Sequence, residues 1–227
     1  MMIFLLIFTG LFRFSQPGNM YDLKRNEMVE KQIIRRGIND PSTIMAMRKV
    51  QRHLFIPENL WNYAYADGPL LIGFDQTISQ PYIVAFMTEA LKPSKGKRAL
   101  EIGTGSGYQA AVLAEIVDTV YSIEIVPELA KSASGKLEQL GYRNIKVKQG
   151  DGYKGWPEHA PFDIIIVTAA PEKIPQPLID QLAENGRMVI PVGSEASVQK
   201  LILLVKKNGK IKQDVLTFVR FVPFTRE

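Results

Sequence analysis

At 227 residues, with 46% apolar and 22% charged side chains, the chain has the size and balance of one core-forming domain carrying an appended element. Its net charge of +5 comes from 28 basic and 23 acidic residues, and Lys24, Arg25, Lys31, Arg35, Arg36 and Arg48 are interleaved with Asp22, Glu27, Glu30 and Asp40. Such mixing describes solvated helix faces rather than the one-sided patch of a nucleic-acid binder, while a mild attraction for acidic or unfolded protein stays open. The absence of cysteine removes disulfides, thiolate zinc sites and cysteine nucleophiles, and His53 and His159 have no metal-ligand spacing.

The run 3–12 (IFLLIFTGLF) is apolar but short for a bilayer span, and it lacks the basic start and small-residue cleavage site of a secretory signal. Three readings stand: translation beginning at Met20, an export signal, or, third, an anchor. Residues 1–20 are therefore set apart from a domain over 21–227, of which 21–92 reads as a helical extension. From Asp22, the residues Leu23, Met28, Val29, Ile33 and Ile34 recur at helical steps, and Gly37 stops the helix. Asp40-Pro41 reads as the cap and first residue of a second helix, with Ile44, Met47 and Val50 inward. Residues 57–80 show little period and turn at Gly68-Pro69 and Gly73. Phe55, Trp61, Tyr63 and Tyr65 read as packing rather than a base-stacking platform, and His53 and His159 as structural groups. Pro81 opens a third helix through Ile83, Val84, Met87 and Leu91.

Beyond Lys92 the pattern alternates. Strands are expected over 98–103, 119–125, 144–149, 162–168 and 187–192, with helices over 107–117, 127–140 and 175–183 between them. The near-continuous apolar run FDIIIVT at 162–168 marks a strand buried on both faces. Two last strands, 201–205 and 211–221, flank Asn208-Gly209 as an antiparallel hairpin. The fold class is α/β: a doubly wound, mostly parallel, Rossmann-like sheet with N-terminal helices and a C-terminal hairpin, whose crevice lies at the carboxyl ends of the strands.

Glu101-Ile-Gly103-Thr104-Gly105-Ser106-Gly107 follows a strand and opens a helix, so its glycines let the backbone turn tightly against a ligand. The dinucleotide fingerprint G-x-G-x-x-G fails, because Tyr108 stands three residues after Gly105. G-x-G-x-G preceded by an acid resembles instead the cofactor loop of class I S-adenosylmethionine methyltransferases. Glu124 ends the next strand, where a carboxylate accepts both hydroxyls of a ribose, and Asp151, before Gly152, ends the third, placed for an adenine amino group; each alone reads equally as a surface or turn acid. Together with Glu101 they are expected to rim one crevice, favouring a cationic sulfonium and repelling phosphate-bearing ligands.

The segment Asp75-Gln76-Thr77-Ile78-Ser79-Gln80-Pro81-Tyr82 closely resembles the substrate motif of protein-L-isoaspartate (D-aspartate) O-methyltransferases. Arg52-His53-Leu54-Phe55-Ile56-Pro57, Tyr65-Ala66-Asp67, the loop above and Arg220-Phe221-Val222-Pro223 extend the likeness from about Met28 to the C-terminus. The resemblance implies S-adenosyl-L-methionine as cofactor, held by Gln76, Thr77, the loop residues, Glu124, Asp151 and Gly152. It implies substrate binding at Thr77, Ile78 and Ser79, with Ser79 matching the active-site serine, although a hydroxyl there also suits a cap for the helix at Pro81. It further implies damaged or unfolded isoaspartyl proteins as partners, ester collapse to a succinimide, and, as expectations, a cytoplasmic monomer with no nucleic acid, metal or membrane span; export is the alternative if 1–20 is a signal. A carboxylate is ionised at neutral pH and needs no general base, which suits the lack of a histidine near Ser79. The rivals are a methyltransferase acting on RNA or a small molecule, and a binding module without turnover.

Overall fold

The computed structural model describes residues 20–194 and 196–226, so the apolar run 3–12 and its three readings lie outside the described residues. No described helix is long and apolar enough to cross a membrane. The chain opens with α1 (Met20–Met28), which runs into a π turn (Val29–Ile33) and a 3-10 turn (Ile34–Arg36) before Gly37 ends the path at φ 96°. The helix expected over 22–37 is thus continuous in direction but not in hydrogen bonding. Met28, Val29 and Ile33 are all buried, whereas a regular helix spreads such positions over about 140° of its circumference. The wider turn absorbs that mismatch.

α2 (Pro41–Lys49) starts as its Asp-Pro signal requires, with the Asp40 carboxylate accepting from the Thr43 amide at 2.7 Å. The aperiodic stretch that follows conceals a small hairpin, β1 (Leu70–Gly73) and β2 (Gln76–Ile78). Its turn sits on Phe74 and Asp75 at φ 54° and 56°, a conformation usually announced by Asn-Gly. α3 (Pro81–Leu91) is preceded by Gln80 at the N-cap, with no side-chain capping bond. The capping role weighed for Ser79 is therefore not found.

β3 (Arg98–Ile102), α4 (Tyr108–Ala114), β4 (Thr119–Glu124), α5 (Pro127–Gln139), β5 (Ile145–Gln149), β6 (Phe162–Val167), α6 (Gln176–Asp180) and β7 (Leu182–Val192) form the doubly wound body. β8 (Gln199–Lys207) and β9 (Lys210–Val219) add the expected hairpin, turned at Asn208-Gly209 with φ 53° and 71°. The seven strands run in the order β5-β4-β3-β6-β7-β8-β9, parallel through β7 and antiparallel beyond it. The helix expected over 175–183 is shorter, because Leu182 already pairs with Phe162. A register shift opposite 162–164 and Asn185 at φ 62° let β7 begin five residues ahead of Arg187.

Alternation along the central strands divides the core. Ala99, Ile164 and Ile166 join the larger cluster under the N-terminal helices, while Leu100, Ile102, Ile165 and Val167 face the cluster closed by Leu178 and Leu182. Burial on both faces explains why β6 reads as an unbroken apolar run. The chain leaves β3 toward β4 and β5, then returns on the other side to β6, so the switch point lies beside the end of β3. Leu100 is fully buried at the centre of the sheet. Leu100→Ala is expected to cost about 2–5 kcal/mol of unfolding free energy in urea titration, at an unchanged m-value. A loss well below 1 kcal/mol, on the order of a surface change, would show that this strand is not packed on both faces.

Candidate active site

The loop after β3 is held by its neighbours on both sides. Gly103 and Thr104 donate their amides to the Ile123 carbonyl of β4, at 2.8 and 3.3 Å. From the β6 side, the Thr168 hydroxyl lies 3.1 Å from the Ile102 carbonyl and 2.8 Å from that of Gly103, and donates to them. A Cβ on Gly103 would stand 2.4 Å from that Thr168 oxygen, and the residue sits at φ 93°, so both space and backbone demand glycine. Gly152 meets the same limit from the other side: a Cβ there would approach the Ile102 side chain to 2.3 Å. The result is a floor with almost no side chain on it.

Glu124 closes one wall. Its carboxylate accepts from the Gly105 amide at 2.7 Å and the Val126 amide at 3.0 Å, which fixes it at the rim of the crevice. It has no cationic partner among the described residues. The crevice is bordered by Gln76, Thr77, Gly103, Gly105, Glu124 and Gly152, together with Thr168 and the tail residues 222–225. A smaller pit shares Thr77, Gly103, Gly105 and Thr168 with it and is lined further by Ile78, Ser79, Thr104 and Ser106. On the outer side a cleft carries Thr77, Ser79, Gln80, Phe218 and Arg220. Ser79 lies between the pit and the cleft, and its hydroxyl makes no hydrogen bond among the described residues. Thr77 and Thr168 border all three spaces.

Three expected residues stand elsewhere. Gly107 supplies the left-handed N-cap of α4, at φ 85°, and borders none of these spaces. Glu101 is fully buried on the helix side of β3 rather than at the mouth of the loop. It accepts a short hydrogen bond from Ser122, whose hydroxyl also pairs with that of Thr104 at 2.6 Å. Burial pushes its carboxyl up to about 8, opposed by the Ser122 bond and reinforced by the charge of Glu124. Asp151 is turned toward the Tyr153 amide, at 2.9 Å, and toward Arg226, at 3.3 Å. The three-acid rim expected from the sequence thus reduces to one unpaired carboxylate, Glu124. Thr168 and Arg226 were not anticipated; neither sits in a motif, and both gain their place from contacts 65 or more residues away.

A glycine-floored crevice at the switch point of a parallel sheet, with one carboxylate fixed at its rim, defines a nucleoside-binding α/β protein of the class I methyltransferase kind. The family model described as protein-L-isoaspartate(D-aspartate) O-methyltransferase matches residues 23–227. A protein-L-isoaspartate O-methyltransferase of Gloeobacter violaceus is 57% identical over 200 residues, covering 88% of this chain and 98% of that one. One of Opitutus terrae is 57% identical over 204 residues, covering 90% and 88%. Among solved structures, a protein-L-isoaspartate O-methyltransferase superposes with TM-score 0.79 at 30% identity, over 88% of this chain and 65% of that longer one. A Plasmodium falciparum protein-L-isoaspartate O-methyltransferase, in complex with S-adenosyl-L-homocysteine, gives TM-score 0.76 at 31% identity over 89% and 99%. The chain belongs to the protein-L-isoaspartate(D-aspartate) O-methyltransferase family and is an S-adenosylmethionine-dependent enzyme.

The buried Glu101 makes stability depend on pH with a defined sign. Below about 4.5 its carboxyl is protonated folded or unfolded; as pH rises toward 8, the unfolded chain ionises first and the fold loses up to about 1.4 kcal/mol per unit. Above 8 the difference is constant. Glu101→Gln, neutral throughout, is expected to gain stability over the wild type progressively from about pH 5 to about pH 8 in chemical denaturation. Parallel curves for the two proteins would rule out a raised carboxyl.

Proposed function

We propose that the enzyme methylates the free carboxylate of L-isoaspartyl residues in damaged proteins, initiating repair through a succinimide. Methyl transfer takes place where the pit opens into the outer cleft. The fit of S-adenosylmethionine to the crevice is supported by the glycines that bring backbone to its floor and by the Glu124 carboxylate at its border. Glu124 receives the ribose hydroxyls, Gly103, Thr104, Gly105, Ser106 and Gly152 form the bed, and Gln76 and Thr77 close over it. Glu101 and Gly107 serve from behind, the first through Ser122 and Thr104, the second as the start of α4. When bound, the cofactor supplies a methyl group on positively charged sulfur.

The chain's own residues then have a positioning task. Ser79 donates its free hydroxyl to the substrate carboxylate and, with Thr77 and Ile78, orients one oxygen toward the crevice. The β1–β2 hairpin and the end of β9 shield that carboxylate from water, which raises its reactivity. No proton has to be removed, because an ordinary carboxylate is already ionised. The observation that carries this reading is the place of Ser79: an unpaired hydroxyl bordering both the pit beside the glycine loop and the neighbouring cleft. A working monomer and a cytoplasmic location are carried over from the family resemblance.

An isoaspartyl peptide is expected to accept label from S-[methyl-3H]adenosylmethionine, while the matching aspartyl peptide and RNA are not. Labelling of RNA alone would overturn the substrate class. Ser79→Ala is expected to lower kcat about 10- to 100-fold, the worth of a hydrogen bond to a charged group, while cofactor affinity by calorimetry is kept. Undiminished turnover would remove Ser79 from its role.

A further inference from the structure

We propose that the segment 222–226 is a strap across the cofactor crevice, with Arg226 as the positioning residue that fastens it and sets how long the nucleoside stays bound. This inference rests on the cofactor reading given above. The carboxyl ends of β6, β3, β4 and β5 lie side by side in that order, three strand spacings or about 14 Å across. At the β6 end the strap is tied by backbone: the Ala170 amide donates to the Val222 carbonyl at 2.9 Å, and the Phe224 amide to the Ala170 carbonyl at 3.0 Å. At the β5 end it is tied by charge. Both Nη2 and Nε of Arg226 face one oxygen of Asp151, at 3.3 and 3.4 Å, and the guanidinium lies 3.8 Å from the centre of the Tyr153 ring.

Two extended residue steps from Phe224 to Arg226 reach about 7 Å, and the extended arginine side chain covers the remainder. The chain between the two ties therefore passes over the ends of β3 and β4, and residues 222–225 border the crevice that Glu124 and Gly103 also border. A nucleoside lying on that floor leaves only when the strap lifts. Lifting it at the β6 end breaks backbone hydrogen bonds; lifting it at the β5 end exchanges one charge pair and one ring contact for water. The second is the cheaper opening, so it sets the rate. Opening still has a cost, because the Asp151 side chain is 2% exposed and a buried carboxylate without its cation is poorly solvated.

The test is release of S-adenosylhomocysteine from the full chain, followed by stopped-flow fluorescence, for wild type, Arg226→Ala and Arg226→Lys. The Arg226→Ala variant is expected to release it about three- to tenfold faster, the scale of one such charge pair and ring contact together. Arg226→Lys should fall between the two, and KM for an isoaspartyl peptide should not change. Raising salt from about 0.05 to about 0.5 M is expected to speed release from the wild type but not from Arg226→Ala, since only the wild type has a charge tie to screen. Equal or slower release from Arg226→Ala, or salt responses that match, would overturn the strap. Failure of the wild type to bind S-adenosylhomocysteine at all would instead overturn the cofactor reading.

Discussion

Everything at the site depends on how closely the backbone after β3 can approach its two neighbouring strands. Gly103 touches β4 through the Ile123 carbonyl and the end of β6 through Thr168, and there is no room for a methyl group on the Thr168 side. This double tether sets the direction in which the loop leaves the sheet. It in turn places the Gly105 amide where Glu124 can accept from it. A carboxylate at a strand end would otherwise be a mobile, solvated group. Here two backbone amides orient it, and the ordering entropy is met by the fold before any ligand arrives.

A second layer supports the first. Glu101 is buried on the helix side, where it takes the Ser122 hydroxyl, which is linked to Thr104 in the loop itself. One of its oxygens is left without a hydrogen-bond partner among the described residues. Burying such a group is costly when ionised and far less so when protonated, which is the direction in which its acidity is displaced. Its contribution to the site therefore runs through the chain of hydroxyls rather than through a charge at the crevice mouth.

Much of this was legible in the sequence, for identifiable reasons. The alternation after Lys92 predicted the parallel sheet, since no compact helix bundle accommodates five short apolar runs bounded by turns. The glycine loop was legible because positive φ at Gly103, Gly105 and Gly107 is a requirement that composition records directly. The burial of Glu101 was also encoded, in the alternation of Ala99 and Glu101 with Leu100 and Ile102, but an acid directly before a glycine loop carries the opposite local signal. Other features were hidden. The β1–β2 turn uses Phe74 and Asp75 rather than a familiar turn pair, and β7 begins early because of a register shift in its partner strand. Thr168 and Arg226 carry no local signal, as their partners are brought near only by the completed sheet.

Thr77 and Thr168 border the crevice, the pit and the outer cleft alike. The spaces proposed for donor and acceptor therefore share a partition formed in part by two small side chains. Enlarging either residue narrows these spaces at once, so under the proposed placement a bulkier acceptor could not be accommodated there without crowding the donor. Broader selectivity would have to be sought on the far wall, along 218–221, where only the acceptor side is touched.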